Sequence, residues 1–249
     1  MSGHSKWATI KHKKAANDKA RGKLFAKALR QVEVAAREGG GDPDMNPTLR
    51  TMFQKARDAS IPLDTIERAV KRGTGELEGV TYEQITYEGY APGGVAVLVE
   101  VLTDNRNRTG SEVRNAFSKN GGSMAEPGAV AWQFDRKGHI LVARATDEEE
   151  LMLTALDAGA EDITDDGEAW RVTTPPTDLH AVRTALDEAG MTVESSDLVM
   201  VPQSTIPLES AESAKKVLRL VDALDEQDDV QAVHANFDIP DAILETVEA

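Results

Sequence analysis

The order of elements between Gly138 and Gln203 restricts the fold of this chain more than any other stretch. Apolar spacing there gives a strand at Ile140 to Val142, a helix carrying Leu151, Met152, Ala155 and Leu156, and strands near Ile163 and at Trp170 to Val172. A helix carrying Leu179, Val182 and Leu186 and a strand at Leu198 to Val201 complete it. The pattern is βαββαβ, the split arrangement of a ferredoxin-like unit. Both helices end alike, in Ala155-Leu156-Asp157-Ala158-Gly159 and Ala185-Leu186-Asp187-Glu188-Ala189-Gly190, as a pseudo-symmetric pair does. Thr146 to Glu149 fits a capping box for the first of them.

The C-terminal elements beyond that unit lack a domain of their own. After Pro202 and Pro207 come a single helix with Ala214, Val217, Leu218, Val221 and Leu224 inward, and a strand in which Val233, Ala235, Phe237 and Ile239 alternate with polar residues. The simplest partner is the set that precedes the unit. There Ile85 and Tyr87 alternate with polar residues, Val95 to Leu102 is a continuous apolar run that reads as a central strand, Val113, Ala116 and Phe117 mark a helix, and Val130, Trp132 and Phe134 give another alternating strand. Pairing the two sets makes residues 137–203 an insertion into a middle domain formed by residues 77–136 and 204–249.

The N-terminal part reads as helices with short connections. Residues 1 to about 16 read as an exposed arm, and Leu24, Phe25, Ala28, Leu29, Val32, Ala35 and Ala36 follow helical spacing up to Gly39-Gly40-Gly41. Asn46 is placed to cap a second helix with Pro47 at its first position and Leu49, Met52, Phe53 and Ala56 inward. Pro62 opens a third, with Ile66, Ala69 and Val70 inward and Gly73 at its end. The fold class expected is α+β: a three-helix domain over residues 1–76, then two α/β domains, one of them ferredoxin-like and inserted into the other.

Charge is divided along this chain as sharply as structure. The first thirty residues hold nine basic side chains against the single acid Asp18, residues 31–73 hold seven of each sign, and residues 74–249 hold 12 basic against 35 acidic. An acidic body repels polyanions, so a basic arm on it directs them to one surface. Lys6, Lys11, Lys13 and Lys14 with Trp7 among them, continued by Lys19, Arg21, Lys23, Lys27 and Arg30, therefore form the expected nucleic-acid contact, with the indole stacking on a base or sugar. Such residues give affinity more than sequence preference. The bland reading of the same run is a solvated basic helix face with Trp7 docked on the protein itself.

Other motifs exclude more than they assign. The chain has no cysteine, so thiolate catalysis, disulfides and cysteine metal sites are ruled out, and no run approaches the length of a membrane span. Without an apolar leader the expected location is the cytoplasm. Gly89-Tyr90-Ala91-Pro92-Gly93-Gly94 lacks the ending of a phosphate-binding loop and reads as a strand-connecting turn. Thr103-Asp104-Asn105-Arg106-Asn107-Arg108-Thr109 opens a helix, where Arg106 and Arg108 are open to binding an anion or partner and Asn and Asp equally to capping. His4, His12, His139, His180 and His234 show no metal-ligand spacing. No catalytic carboxylate pair or activated nucleophile stands out, and no metal or cofactor is expected.

Gly3-His4-Ser5-Lys6-Trp7, Lys11-His12-Lys13-Lys14-Ala15, Tyr87 to Ala96 and Thr103 to Arg108, in that order, resemble the YebC/PmpR family, which includes the mitochondrial translational activator of cytochrome c oxidase. Ala91 stands where a glycine is usual. The resemblance implies a three-domain cytoplasmic protein without enzymatic chemistry or cofactor. It also implies either a DNA-binding transcriptional regulator or a ribosome-associated translation factor that binds ribosomal RNA and relieves stalling on proline-rich messages. A third reading is a protein-interaction adaptor working through the acidic α/β domains.

Overall fold

A computed structural model of the chain describes residues 18–240, 242–243 and 247. Three helices come first: α1 (Asp18–Gly39), α2 (Pro47–Asp58) and α3 (Leu63–Gly73). Asn46 caps α2 as its spacing requires, its Oδ1 accepting from Leu49 N at 3.0 Å, while its Nδ2 donates to the carbonyls of Ala35 and Gly40. One buried amide thus ties the end of α1 to the start of α2. Ala28, Val32, Ala35, Ala36, Leu49, Ala56, Ile66 and Ala69 form the buried core of the three helices, with Met52 and Phe53 partly buried at its edge. α1 and α3 approach closely where Gly73 lies on the Glu33 carbonyl and Ala36, a place with no room for a Cβ.

The second part is a four-stranded sheet in the order β3-β1-β2-β9, made of β1 (Glu83–Tyr90), β2 (Ala96–Thr103), β3 (Ser123–Met124) and β9 (Val230–Ala235). β2 is buried along most of its length and lies between antiparallel neighbours, as its unbroken apolar run demands. β9 comes from the far end of the chain and joins this sheet by pairing with β2. α4 (Arg106–Lys119) and α7 (Ala211–Asp225) pack on each other and against β1 and β9 respectively. Phe117, Leu220, Leu224 and Phe237 are fully buried.

The third part contains β4 (Phe134–Ala143), α5 (Glu148–Asp157), β5 (Asp162–Asp165), β6 (Ala169–Thr174), α6 (Leu179–Glu188) and β7 (Val193–Pro202). Its sheet order, β5-β6-β4-β7, is that of the ferredoxin-like fold. Ile140, Val142, Leu151, Ala155, Trp170, Val172, Val182 and Leu186 close its core. The chain separates into two compact units: residues 81–135 with 200–249 form most of one, and residues 9–80 with 136–199 form the other. Among the described residues no helix is long and apolar enough to cross a membrane.

Three local expectations are corrected. The alternation of Val130, Trp132 and Phe134 is not a strand: Ala131–Gln133 is a turn of 3-10 helix and β4 begins only at Phe134. The Glu88 carboxylate causes this, accepting from the backbone N–H groups of Gly128, Val130 and Ala131 at 2.6, 2.6 and 2.8 Å and curling the segment around itself. Asp147, not Thr146, caps α5, its carboxylate accepting from Glu150 N, while the Thr146 carbonyl receives the Trp170 indole N–H. The expected single strand from Val233 to Ile239 breaks at Asn236. That buried side chain accepts from Ala96 N at 2.7 Å, and the chain then changes partner, β10 (Phe237–Asp238) pairing in parallel with β8 (Ile206–Pro207).

Candidate nucleic-acid interface

An α-helix turns about 100° per residue, so Lys23, Lys27 and Arg30 fall on one side of α1 and Ala28, Val32, Ala35 and Ala36 on the other. Burial follows that geometry. The four apolar residues are buried, Lys23 is exposed, and Lys27 and Arg30 are half-buried. Burying the apolar side against α2 and α3 is what fixes the direction of the basic side. α1 begins at Asp18, which places Lys19 and Arg21 in its first turn, with their side chains outside the described residues. Lys6, Trp7, Lys11, Lys13 and Lys14 lie outside the described residues altogether.

Beyond residue 31 many cations are held by the protein's own acids and carbonyls. Glu33, 4% exposed, accepts from Arg72 Nε at 3.0 Å and lies 3.6 Å from Arg37, whose other nitrogen donates to the Val80 carbonyl. Arg50 donates to the carbonyls of Pro43 and Asp44, and Lys55 Nζ lies 2.7 Å from Asp197. Arg183 is buried and donates to both Asp58 oxygens at 2.6 and 2.9 Å and to Ser196 at 2.7 Å, joining α2 to α6 and β7. These groups hold the helices in place and have little charge left for a polyanion.

Arg108 is held in the same way, and Arg106 is exposed. Asn105 caps α4, its Oδ1 accepting from Arg108 N at 3.1 Å. The Arg108 guanidinium donates through Nη2 to Asp229 at 2.7 Å and to Asp104 at 2.9 Å. Those two carboxylates raise its pKa above the usual arginine range and leave it as a structural cation. Asp229, 6% exposed, also accepts from the Thr109 and Thr103 hydroxyls at 2.6 and 3.0 Å. Burial alone would push its carboxyl up, and the donors from Thr109, Arg108 and Thr103 outweigh burial and hold it below the usual range. Arg106 is exposed at the start of α4, its carbonyl accepting from the Tyr87 hydroxyl.

Among the described residues no group of three or more His, Asp or Glu side chains stands where it could hold a metal. His4 and His12 lie outside the described residues. The roles of Glu88 and Asp229 have no local signal, because their partners lie 40 to 43 and 120 to 126 residues away. Trp132 was equally hidden, since its expected place in a strand left its exposed ring unseen.

Comparison with known proteins matches the chain in two consecutive pieces. Residues 5–76 match the "TACO1/YebC protein N-terminal domain" and residues 82–237 the "TACO1/YebC second and third domain". A "probable transcriptional regulatory protein" of Thermobifida fusca is 60% identical over 246 residues, 98% of each chain. One of the same description from Rubrobacter xylanophilus is 59% identical over 249 residues, 99% of each. The crystal structure of a conserved hypothetical protein from Aquifex aeolicus superposes with a TM-score of 0.83 at 48% identity, covering 90% of this chain and 93% of that one.

Proposed function

We propose that this chain, which belongs to the TACO1/YebC family, is a nucleic-acid-binding regulator of gene expression that works in the cytoplasm without enzymatic chemistry. Its polyanion contact is the basic face of α1 together with Lys6, Trp7, Lys11, Lys13 and Lys14. The observation that carries this reading is the segregation of charge: the first thirty residues hold nine cations against one acid on a chain whose net charge is −15. Relatives described as probable transcriptional regulatory proteins favour duplex DNA as the target.

A second reading, a ribosome-associated translation factor bound to ribosomal RNA, is favoured by one feature of the same helix. Between Asp18 and Arg30 there is no Asn or Gln to pair with adenine and no Ser or Thr, so the face is built of cations suited first to phosphate contacts, as a lysine-rich surface on RNA requires. Sedimentation of cell lysate separates the two readings. Co-migration with ribosomal particles that disappears on deleting residues 1 to 20 favours translation, and its absence alongside salt-dependent DNA binding favours transcription. Charge reversal at Lys11, Lys13 and Lys14 tests both against a pure protein adaptor, which would keep full cellular activity in that variant.

A further inference from the structure

α5 and α6 end in nearly the same sequence but bury different sides. In α6 the core takes Val182 and Leu186. Counted back from the shared Ala-Leu-Asp, Met152 and Leu156 hold the matching places in α5, yet they are 43% and 47% exposed, and Leu151 and Ala155 are buried instead. Leu153 adds a third exposed side chain, at 63%. At about 100° per residue, Met152, Leu156 and Leu153 lie in one strip on the outer side of the helix. Together with Asp147, Glu148 and Glu149 they line an open groove of about 460 Å³.

Single apolar side chains on a surface need no partner, but three contiguous ones in a groove mark a contact surface. Its charge selects what fits. Between Ala145 and Trp170 the chain has ten Asp and Glu and no Lys or Arg, so a ligand meets one sign of charge along the whole segment. Cations from outside the segment pair with Glu161, Asp165 and Asp166, through Lys137, Arg144 and Arg171. Asp147 caps the helix, whereas Glu148, Glu149 and Asp157 are exposed and have no ion pair among the described residues. Glu148 and Glu149 stand one turn before Met152 and Leu153, and Asp157 one turn after Leu153, so these charges flank the apolar strip. Like charge turns away nucleic acid and anionic lipid. A second copy meeting this face with its own would set the same acids against each other.

We propose that the outer face of α5 docks a protein partner through a cationic amphipathic helix, whose apolar side chains seat on Met152, Leu153 and Leu156 and whose lysines or arginines meet Glu148, Glu149 and Asp157. A helix matches because ridges of side chains spaced by three and four pack against a strip spaced the same way. Apolar contact supplies the affinity, and the acids set the choice of partner and its approach. The surface belongs to the ferredoxin-like part alone and stands whether or not α1 binds nucleic acid.

The test uses the full chain with isotope-labelled methionine methyl groups, the Met152 signal being identified by its loss in Met152→Leu. The probes are three peptides of about 18 residues, each patterned at the helical period: leucine with lysine, leucine with glutamate, and serine with lysine. The leucine–lysine peptide is expected to shift the Met152 signal and the other two to leave it unmoved. Leu153→Ser with Leu156→Ser should weaken that peptide about tenfold or more with its salt slope unchanged. Glu148→Gln with Glu149→Gln should weaken it roughly three- to tenfold and flatten the slope. A urea midpoint close to that of the parent chain in each variant separates lost contact from lost fold. Binding with Met152 unmoved, an equal shift from the serine–lysine or the leucine–glutamate peptide, or no binding at all overturns the proposal. A Met152 signal that moves with protein concentration alone makes the face a contact between copies and overturns it as well.

Discussion

Two buried carboxylates carry the strongest residue-scale consequences. Asp229 gathers Thr103, Thr109 and Arg108, and Glu88 gathers three backbone N–H groups, so replacing either leaves several donors unsatisfied. Asp229→Ala should cost about 2–3 kcal/mol, mainly through the two threonines, because the Arg108 contact is nearly half open to water and adds little. A change in the urea midpoint, with its slope preserved, measures it. Both carboxyls are held below their ordinary values, Asp229 by side-chain donors and Glu88 by the backbone of Gly128, Val130 and Ala131, in each case against the opposing effect of burial. Their contribution to stability is therefore complete above the unfolded value, about 4, and is lost as pH falls through the lowered folded values. Stability should hold from pH 7 to about 5 and decline below about 4, and Glu88→Gln with Asp229→Asn should remove part of that decline. An acid limb of equal steepness in the double variant would contradict this.

At the scale of elements, the direction of the basic face depends on how α1 is seated. Gly73 permits α3 to press on the Glu33 carbonyl, so Gly73→Ala should force the helices apart and cost about 1–3 kcal/mol in a denaturant titration. Arg183→Ala should be at least as costly, about 3 kcal/mol, since it abandons Asp58 and Ser196 in a mostly buried place. Much at this scale was legible in the sequence. The apolar spacing of α1, the Asn46-Pro47 start of α2 and the unbroken run of β2 each depend on neighbours a few residues away. The orphaned helix and strand at the C-terminus pointed only to the preceding strand set as their simplest partner, and the pairing of β9 with β2 itself is a finding of the structure. The illegible parts depended on distant side chains: Glu88 converts an alternating stretch into the Trp132 turn, and Asn236 meets Ala96 across 140 residues to break the last strand. Arg108 read as open to an anion until Asp229, 121 residues on, claimed its charge.

For the whole molecule, the proposed function rests on contrast of charge along the chain. Under the reading proposed above, a polyanion would be held at the basic face of α1 and repelled by the acidic remainder of the chain, and neutralising that face would remove the binding. Reversing Lys23, Lys27 and Arg30 to Glu should reduce both affinity and salt slope, with retention of α1 checked by circular dichroism. The most direct measurement is the affinity of the full chain for duplex DNA and for a ribosomal RNA fragment as a function of salt. Engagement of about six phosphates gives a log–log slope near −5 for duplex DNA, shallower in the triple charge-reversal variant. A flat dependence, or a slope the reversal leaves unchanged, would contradict binding through this face.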